Sequence, residues 1–203
     1  MGLARYLCAM FTNTIDTIAS DLESSFDMIY EEQRQLREKF SFRELSALVL
    51  AIQGANRIFV VGAGRSGLAL RAAAMRLMHL GLTVFVAGET TTPAIGKGDL
   101  LLAASGSGTT GSIVKAGEKA VAAGAQVIAL STTREAPLAK LATFVIVLPA
   151  AQKQDFQNAV SSQYAGSLFE QGILLVTDAV FHTLWKMVGT PAEELWKRHA
   201  NLE

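Results

Sequence analysis

The sequence has only one cysteine, Cys8, so an internal disulfide is impossible and this chain alone cannot build a cysteine-rich zinc site. Such thiol usage fits a reducing, cytoplasmic compartment. Charge of one sign is also missing in excess. Lys and Arg number 18 and Asp and Glu number 18, and no long basic run offers the footprint that nucleic acid or an anionic membrane requires. Any anionic ligand must be held by local geometry. No apolar stretch approaches the roughly 20 residues that a membrane-spanning helix needs. The first eleven residues are followed at once by polar Thr12-Asn13-Thr14 and Asp16, with no secretory apolar core or cleavage signal. Internal repeats and low-complexity linkers are absent too. The expectation is a soluble protein whose partners are neither membrane nor nucleic acid.

What is present is a chain of 203 residues, half of them hydrophobic, enough for one compact domain with a substantial core. Residues 1–55 read as N-terminal helices. Ile15, Ile18, Leu22, Phe26 and Ile29 recur at three- and four-residue spacing and predict an amphipathic helix over about 14–39. Ser41 and Glu44 form a capping-box pattern ahead of Leu45, Leu48, Val49 and Ile52, which predicts a second helix. Residues 56–203 read as an α/β core with C-terminal helices. Short aliphatic runs at 57–61, 83–87, 100–104, 126–130 and 144–147 alternate with helical stretches at 66–80, 111–123 and 137–141. That alternation argues for a parallel sheet covered on both faces, and the expected fold is a five-stranded, three-layer α/β/α sandwich of flavodoxin-like type. A long helix is expected over about 164–188, and Thr190-Pro191 opens a last short one.

Two loops carry the chemical signal. Gly62-Ala63-Gly64-Arg65-Ser66-Gly67 follows a predicted strand and opens a predicted helix. Glycines there let the backbone approach a phosphate, and the helix N-terminus offers free N–H groups with a partial positive charge. By spacing alone it fits the dinucleotide fingerprint, with Glu89 near the end of the next strand where a ribose-binding acid would sit. A nicotinamide oxidoreductase is thus one reading. The second loop, Ser105-Gly106-Ser107-Gly108-Thr109-Thr110, argues against it. It brings hydroxyls and backbone amides to the same sheet edge, which suits a phosphate monoester and which a dinucleotide fold does not need.

The SGSGTT loop resembles the serine-rich phosphate loop of the sugar isomerase (SIS) domain family. The resemblance widens through GAGRSGLALRAAAMRLMHLG at Gly62–Gly81, GETTTPAI at Gly88–Ile95 and KRHANL at Lys197–Leu202, which together are similar to the 6-phospho-3-hexuloisomerases of that family. It covers about three quarters of the chain. Gly111-Ser112 and the stretch 152–165 show no comparable match, and sugar specificity is the expectation most exposed there.

The resemblance implies one SIS domain over 1–203 that converts D-arabino-hex-3-ulose 6-phosphate to fructose 6-phosphate by acid–base catalysis through a 2,3-enediol. That step belongs to the ribulose monophosphate route of formaldehyde handling. Neither cofactor nor metal is implied. A non-catalytic phosphosugar-binding module and an isomerase of another sugar phosphate stay as alternatives. By the same resemblance Glu170 is the base, and His199 moves protons between the enediol oxygens or handles the product ring. Ser66, Ser105, Ser107 and Thr110 are expected to hold phosphate, Gly64 and Gly106 to bind substrate beside them, Arg65 to pair with phosphate or a sugar hydroxyl, and Glu89, Thr90 and Thr91 to line the sugar end. A homotetramer with sites shared between subunits is implied as well. His79 and His182, among apolar helix residues, read as core or surface histidines.

Overall fold

The computed structural model describes residues 2–153 and 160–202. Two helices come first, α1 (Gly2–Glu38) and α2 (Phe42–Gly54), and five strands follow: β1 (Ile58–Gly62), β2 (Val84–Val86), β3 (Leu100–Ala104), β4 (Gln126–Ser131) and β5 (Phe144–Val147). Helix α3 (Gly64–His79) joins β1 to β2, α4 (Gly111–Ala122) joins β3 to β4, and α5 (Pro137–Leu141) joins β4 to β5. Helices α6 (Ser167–Val188) and α7 (Ala192–Trp196) end the chain. All pairings are parallel in the order β2-β1-β3-β4-β5. This is the flavodoxin-like order expected from the sequence.

The strands divide their side chains by parity. Ile58, Val60, Leu100, Leu102, Ile128, Leu130 and Ile146 point into the core shared with α2, α3 and α6. Their neighbours Phe59, Leu101, Ala103, Val127, Ala129 and Val145 face α4 and α5, where Ile113, Ala120 and Leu138 meet them. Both sheet faces are therefore dry, which is why the strands read as continuous apolar runs. Each fully buried Leu, Ile or Val contributes on the order of 1.5–3 kcal/mol.

The ends of some elements differ from expectation for local reasons. Helix α1 begins at Gly2 rather than near residue 14, because neither glycine nor proline interrupts residues 3–53. Helix α6 begins at Ser167 rather than 164, because Ala165 turns with a φ of +52° just before it. The capping box at α2 is half made. The Glu44 N–H donates to Ser41 Oγ at 3.3 Å, while the Glu44 carboxylate pairs with Arg134 instead of reaching back. Among the described residues, no helix is long and apolar enough to cross a membrane.

The sheet edge away from the strand C-termini is fastened by ions. Arg57 Nε donates to Asp99 Oδ1 at 3.0 Å and Nη2 to Oδ2 at 2.6 Å, tying the approaches to β1 and β3. The Gly96 N–H adds a third bond to Oδ2 at 2.8 Å. The Arg57 hydrogen bonds outweigh burial and hold the Asp99 carboxyl below its ordinary value of 3.8. A carboxyl depressed on folding stabilises the protein fully above its unfolded pKa, and that contribution is lost as the pH falls through the lower folded value. Asp99→Asn is therefore expected to lower the urea midpoint near neutrality, with the gap to wild type closing on acidification below about pH 4. Unfolding series at several pH values measure it; a gap independent of pH would contradict the assignment.

Candidate active site

Strands β1 and β3 are adjacent but lead to helices on opposite faces, so a crevice opens beyond their carboxyl ends. Gly62 pairs with Ala104 in register, so both loops leave the sheet at one level. A cleft of about 240 Å³ lies there, lined by both loops and by the start of α6. Helices α3, α4 and α6 begin at it behind Ala63, Thr110 and Gly166, all cleft-lining residues. None of these positions supplies a side-chain cap, and although the Ser167 and Ile113 N–H groups donate to the Tyr164 and Thr110 carbonyls, the other first-turn N–H groups of the three helices stay available to a ligand. Together they favour an anion.

The loops take their shape from close packing. A Cβ on Gly67 would lie 2.6 Å from the Gly62 carbonyl oxygen, so only glycine lets α3 start hard against the end of β1. Within the second loop, Ser105 Oγ lies 2.9 Å from Thr110 Oγ1 and accepts from the Gly108 N–H at 3.1 Å. Ser107 Oγ lies 2.9 Å from Thr109 Oγ1. The Gly106 carbonyl accepts from Thr132 N–H and Oγ1 at 3.1 and 2.8 Å and from Ser131 Oγ at 3.2 Å. This anchors the loop to the end of β4. Ser66, Ser105, Gly106, Ser107 and Thr110 all line the cleft.

Glu170 lies across the cleft, in the first turn of α6, and is only 7% exposed. Arg65 Nη1 lies 3.2 Å from Glu170 Oε2 and donates to Ser167 Oγ at 2.9 Å. The guanidinium thus spans from the start of α3 to the start of α6. Gly64, with φ +57°, begins α3 beside it. The cleft therefore combines hydroxyls and amides for an anion with one buried carboxylate fixed by a cation, the equipment for moving a proton on a phosphorylated substrate. Among the described residues no cluster of His, Cys, Asp and Glu is placed to hold a metal.

Other expected residues stay apart within the chain. Glu89, Thr90 and Thr91 form an exposed turn beyond β2, the edge strand. Glu89 pairs with Arg71 at 2.8 Å and borders a separate hollow floored by Phe59, Ile95 and Leu101. His199 stacks on His79 and Trp196, with ring centroids 4.4 and 4.6 Å away. His79 ends α3 whereas Ser66 lies near its start, and 13 residues of helix put about 20 Å between them. His79 itself is buried, and burial followed by repulsion from His199 pushes its pKa down. His182 lies against Trp185. Sequence reasoning passed over Gln152, Lys153 and Phe169, which line the cleft. The first two lie past the carboxyl end of β5, and that position was the one available signal. The Gln152 amide donates to Thr132 Oγ1 at 3.1 Å, and Phe169 packs against Gly106.

Residues 51–169 match the family model described as SIS domain. The 3-hexulose-6-phosphate isomerase of Mycobacterium gastri is 52% identical over 93% of this chain and 95% of its own. The enzyme of that name from Bacillus subtilis is 39% identical over 80% of this chain and 89% of its own. A crystal structure from Methanococcus jannaschii, from which a molecular function of 3-hexulose-6-phosphate isomerase was inferred, superposes with a TM-score of 0.77 at 32% identity. That match covers 89% of this chain and 99% of the other, and a second crystal structure, with a TM-score of 0.82 at 36% identity, matches over 89% of this chain and 97% of its own.

Proposed function

The chain belongs to the SIS-domain family, and on that footing we propose that it isomerises D-arabino-hex-3-ulose 6-phosphate to fructose 6-phosphate in the ribulose monophosphate route. One observation carries the reading: a buried carboxylate and a hydroxyl-lined anion loop share one cleft. A nicotinamide oxidoreductase is disfavoured, because Glu89, the acid such a fold would place on a ribose, is paired with Arg71 outside the cleft. A bare binding module would have no use for the fixed Glu170.

The phosphate rests on Ser66, Ser105, Ser107 and Thr110 and on the free N–H groups that begin α3 and α4. Because O6 is esterified, the 3-ketose cannot close a five-membered ring and reaches the cleft open-chain. Glu170 removes the C2 proton, whose electron pair forms the C2=C3 bond while the C3 carbonyl oxygen gains a proton. The hydroxyl proton on O2 then leaves as the C2 carbonyl forms, and Glu170 returns its proton to C3. Arg65 positions the carboxylate over the reacting carbons. Positioned proton transfer of this kind contributes on the order of 10²–10⁴ in rate. These steps shift protons and electron pairs within the sugar and leave no net oxidation or reduction.

A homotetramer supplies the remaining parts. Its support is the apolar stripe of α1, where Ile15, Ile18, Leu22 and Phe26 all lie exposed in the single chain. His199, distant from its own cleft, serves the site of a neighbouring subunit in that arrangement. Glu89, Thr90 and Thr91 take no part in the site within one subunit. A single cysteine fits a cytoplasmic setting.

Incubation of the purified protein with fructose 6-phosphate, followed by ¹³C NMR, tests the assignment. The account expects a new open-chain ketone carbon at C3. Formation of an aldose, or of nothing, would contradict it.

A further inference from the structure

A sugar phosphate brings a dianion into a cleft whose built-in charges cancel. Glu170 supplies one negative charge, and the nearest guanidinium, Arg65, is already bound to it and to Ser167. Hydroxyls and helix N-termini offer only partial charges. Among the described residues, Lys153 is the cation that lines the cleft itself.

The placement of Lys153 is specific. A methyl group added to Gly166 would meet Lys153 Cγ at 3.4 Å and Cε at 3.9 Å, so the aliphatic stem lies over the residue that precedes α6. A methyl group added to Gly64 would come within 3.8 Å of Lys153 Nζ, which sets the ammonium beside the first residue of α3. Among the described residues no carboxylate forms an ion pair with it. A flexible stem ending in three donors suits a phosphate whose oxygens are already met on other sides. These are ordinary packing distances, so the lysine lies against both helix starts at once.

We propose that Lys153 is the counter-ion of the substrate phosphate, raising the cleft from net zero to net positive charge before the ligand enters. The proposal rests on the phosphosugar reading of the cleft but not on the identity of the sugar. The ammonium acts on binding, whereas Glu170 acts on the reacting carbons.

Lys153→Gln and Lys153→Arg test it, with inorganic phosphate as competitor and fructose 6-phosphate as substrate. Glutamine is expected to raise both KM and the inhibition constant of phosphate about tenfold or more, the effect of losing a hydrogen bond between charged groups, with kcat nearly unchanged. Arginine is expected to restore most of the loss. Added salt is expected to weaken phosphate binding more in the wild type than in Lys153→Gln. Unchanged KM and inhibition constant would overturn the proposal. So would a fall in kcat alone, which would put the ammonium on the reacting oxygens. Titration of phosphate into wild type and variant, followed by ³¹P NMR, reads the same contrast without turnover. Lost binding in the variant would uphold the role of Lys153 even if the wild type failed to isomerise a hexulose phosphate.

Discussion

Replacing Glu170 by glutamine is expected to lower kcat by about 10²–10⁴-fold, the range that positioned acid–base catalysis contributes, without weakening the affinity for inorganic phosphate. The amide matches the carboxylate in size and still fits the first turn of α6, but it cannot accept a proton from carbon. Stability should change little. The ion pair that is lost has one partner, Arg65, whose side chain is 59% exposed, and partners as accessible as this contribute at most about 1 kcal/mol. Steady-state kinetics beside a thermal melt separates the two effects. Wild-type turnover in a folded Glu170→Gln protein would place the base elsewhere.

The largest expected effect on stability comes from Gly67→Ala. Its new Cβ would stand 2.6 Å from the Gly62 carbonyl oxygen and 2.9 Å from the carbonyl carbon. Both belong to backbone at the end of β1, and neither can swing aside as a side chain can. Relief requires α3 to move away from the sheet that it covers. Overpacking of this kind costs about 3 kcal/mol, which for a chain of this size lowers Tm by roughly 6–12 °C. The same displacement carries Ser66 and the start of α3 away from the second loop, so phosphate binding should weaken as well. Gly54→Ala is the control, since an added Cβ there meets nothing within 4 Å. Calorimetry of both variants measures the contrast; equal melting points would show that β1 and α3 are not packed as described.

The sheet was legible in the sequence because both of its faces are buried. Runs such as Leu100–Ala104 have no solvent face to interrupt them, so strand positions appear as uninterrupted apolar blocks. The two phosphate-loop candidates were legible because a parallel sheet presents ligands at its carboxyl edge, and the glycines and hydroxyls stand directly after β1 and β3. Which of the edge loops adjoin the crevice was less accessible. The expectation for Glu89, Thr90 and Thr91 used the same edge rule, but β2 is the outermost strand, and a loop beyond it does not adjoin the crevice between β1 and β3. Burial of Glu170 could not be read from its neighbours alone, since Leu168, Phe169 and Ile173 show an apolar helix without showing what faces it. Lys153 was invisible for the opposite reason. It stands in a stretch with no glycine pattern or periodicity, and its place depends on where β5 ends and how α6 returns over the cleft.

The central claim is that one carboxylate, Glu170, exchanges a proton between C2 and C3 of a bound hexulose phosphate. Fructose 6-phosphate incubated with the protein in D₂O and followed by ¹H and ¹³C NMR tests it most directly. The account predicts deuterium entering fructose 6-phosphate at C3, and no such entry with Glu170→Gln. Deuterium entering at C1 would mean a 1,2-enediol and another isomerisation, and undiminished exchange at C3 in a folded Glu170→Gln protein would contradict the assignment of the base.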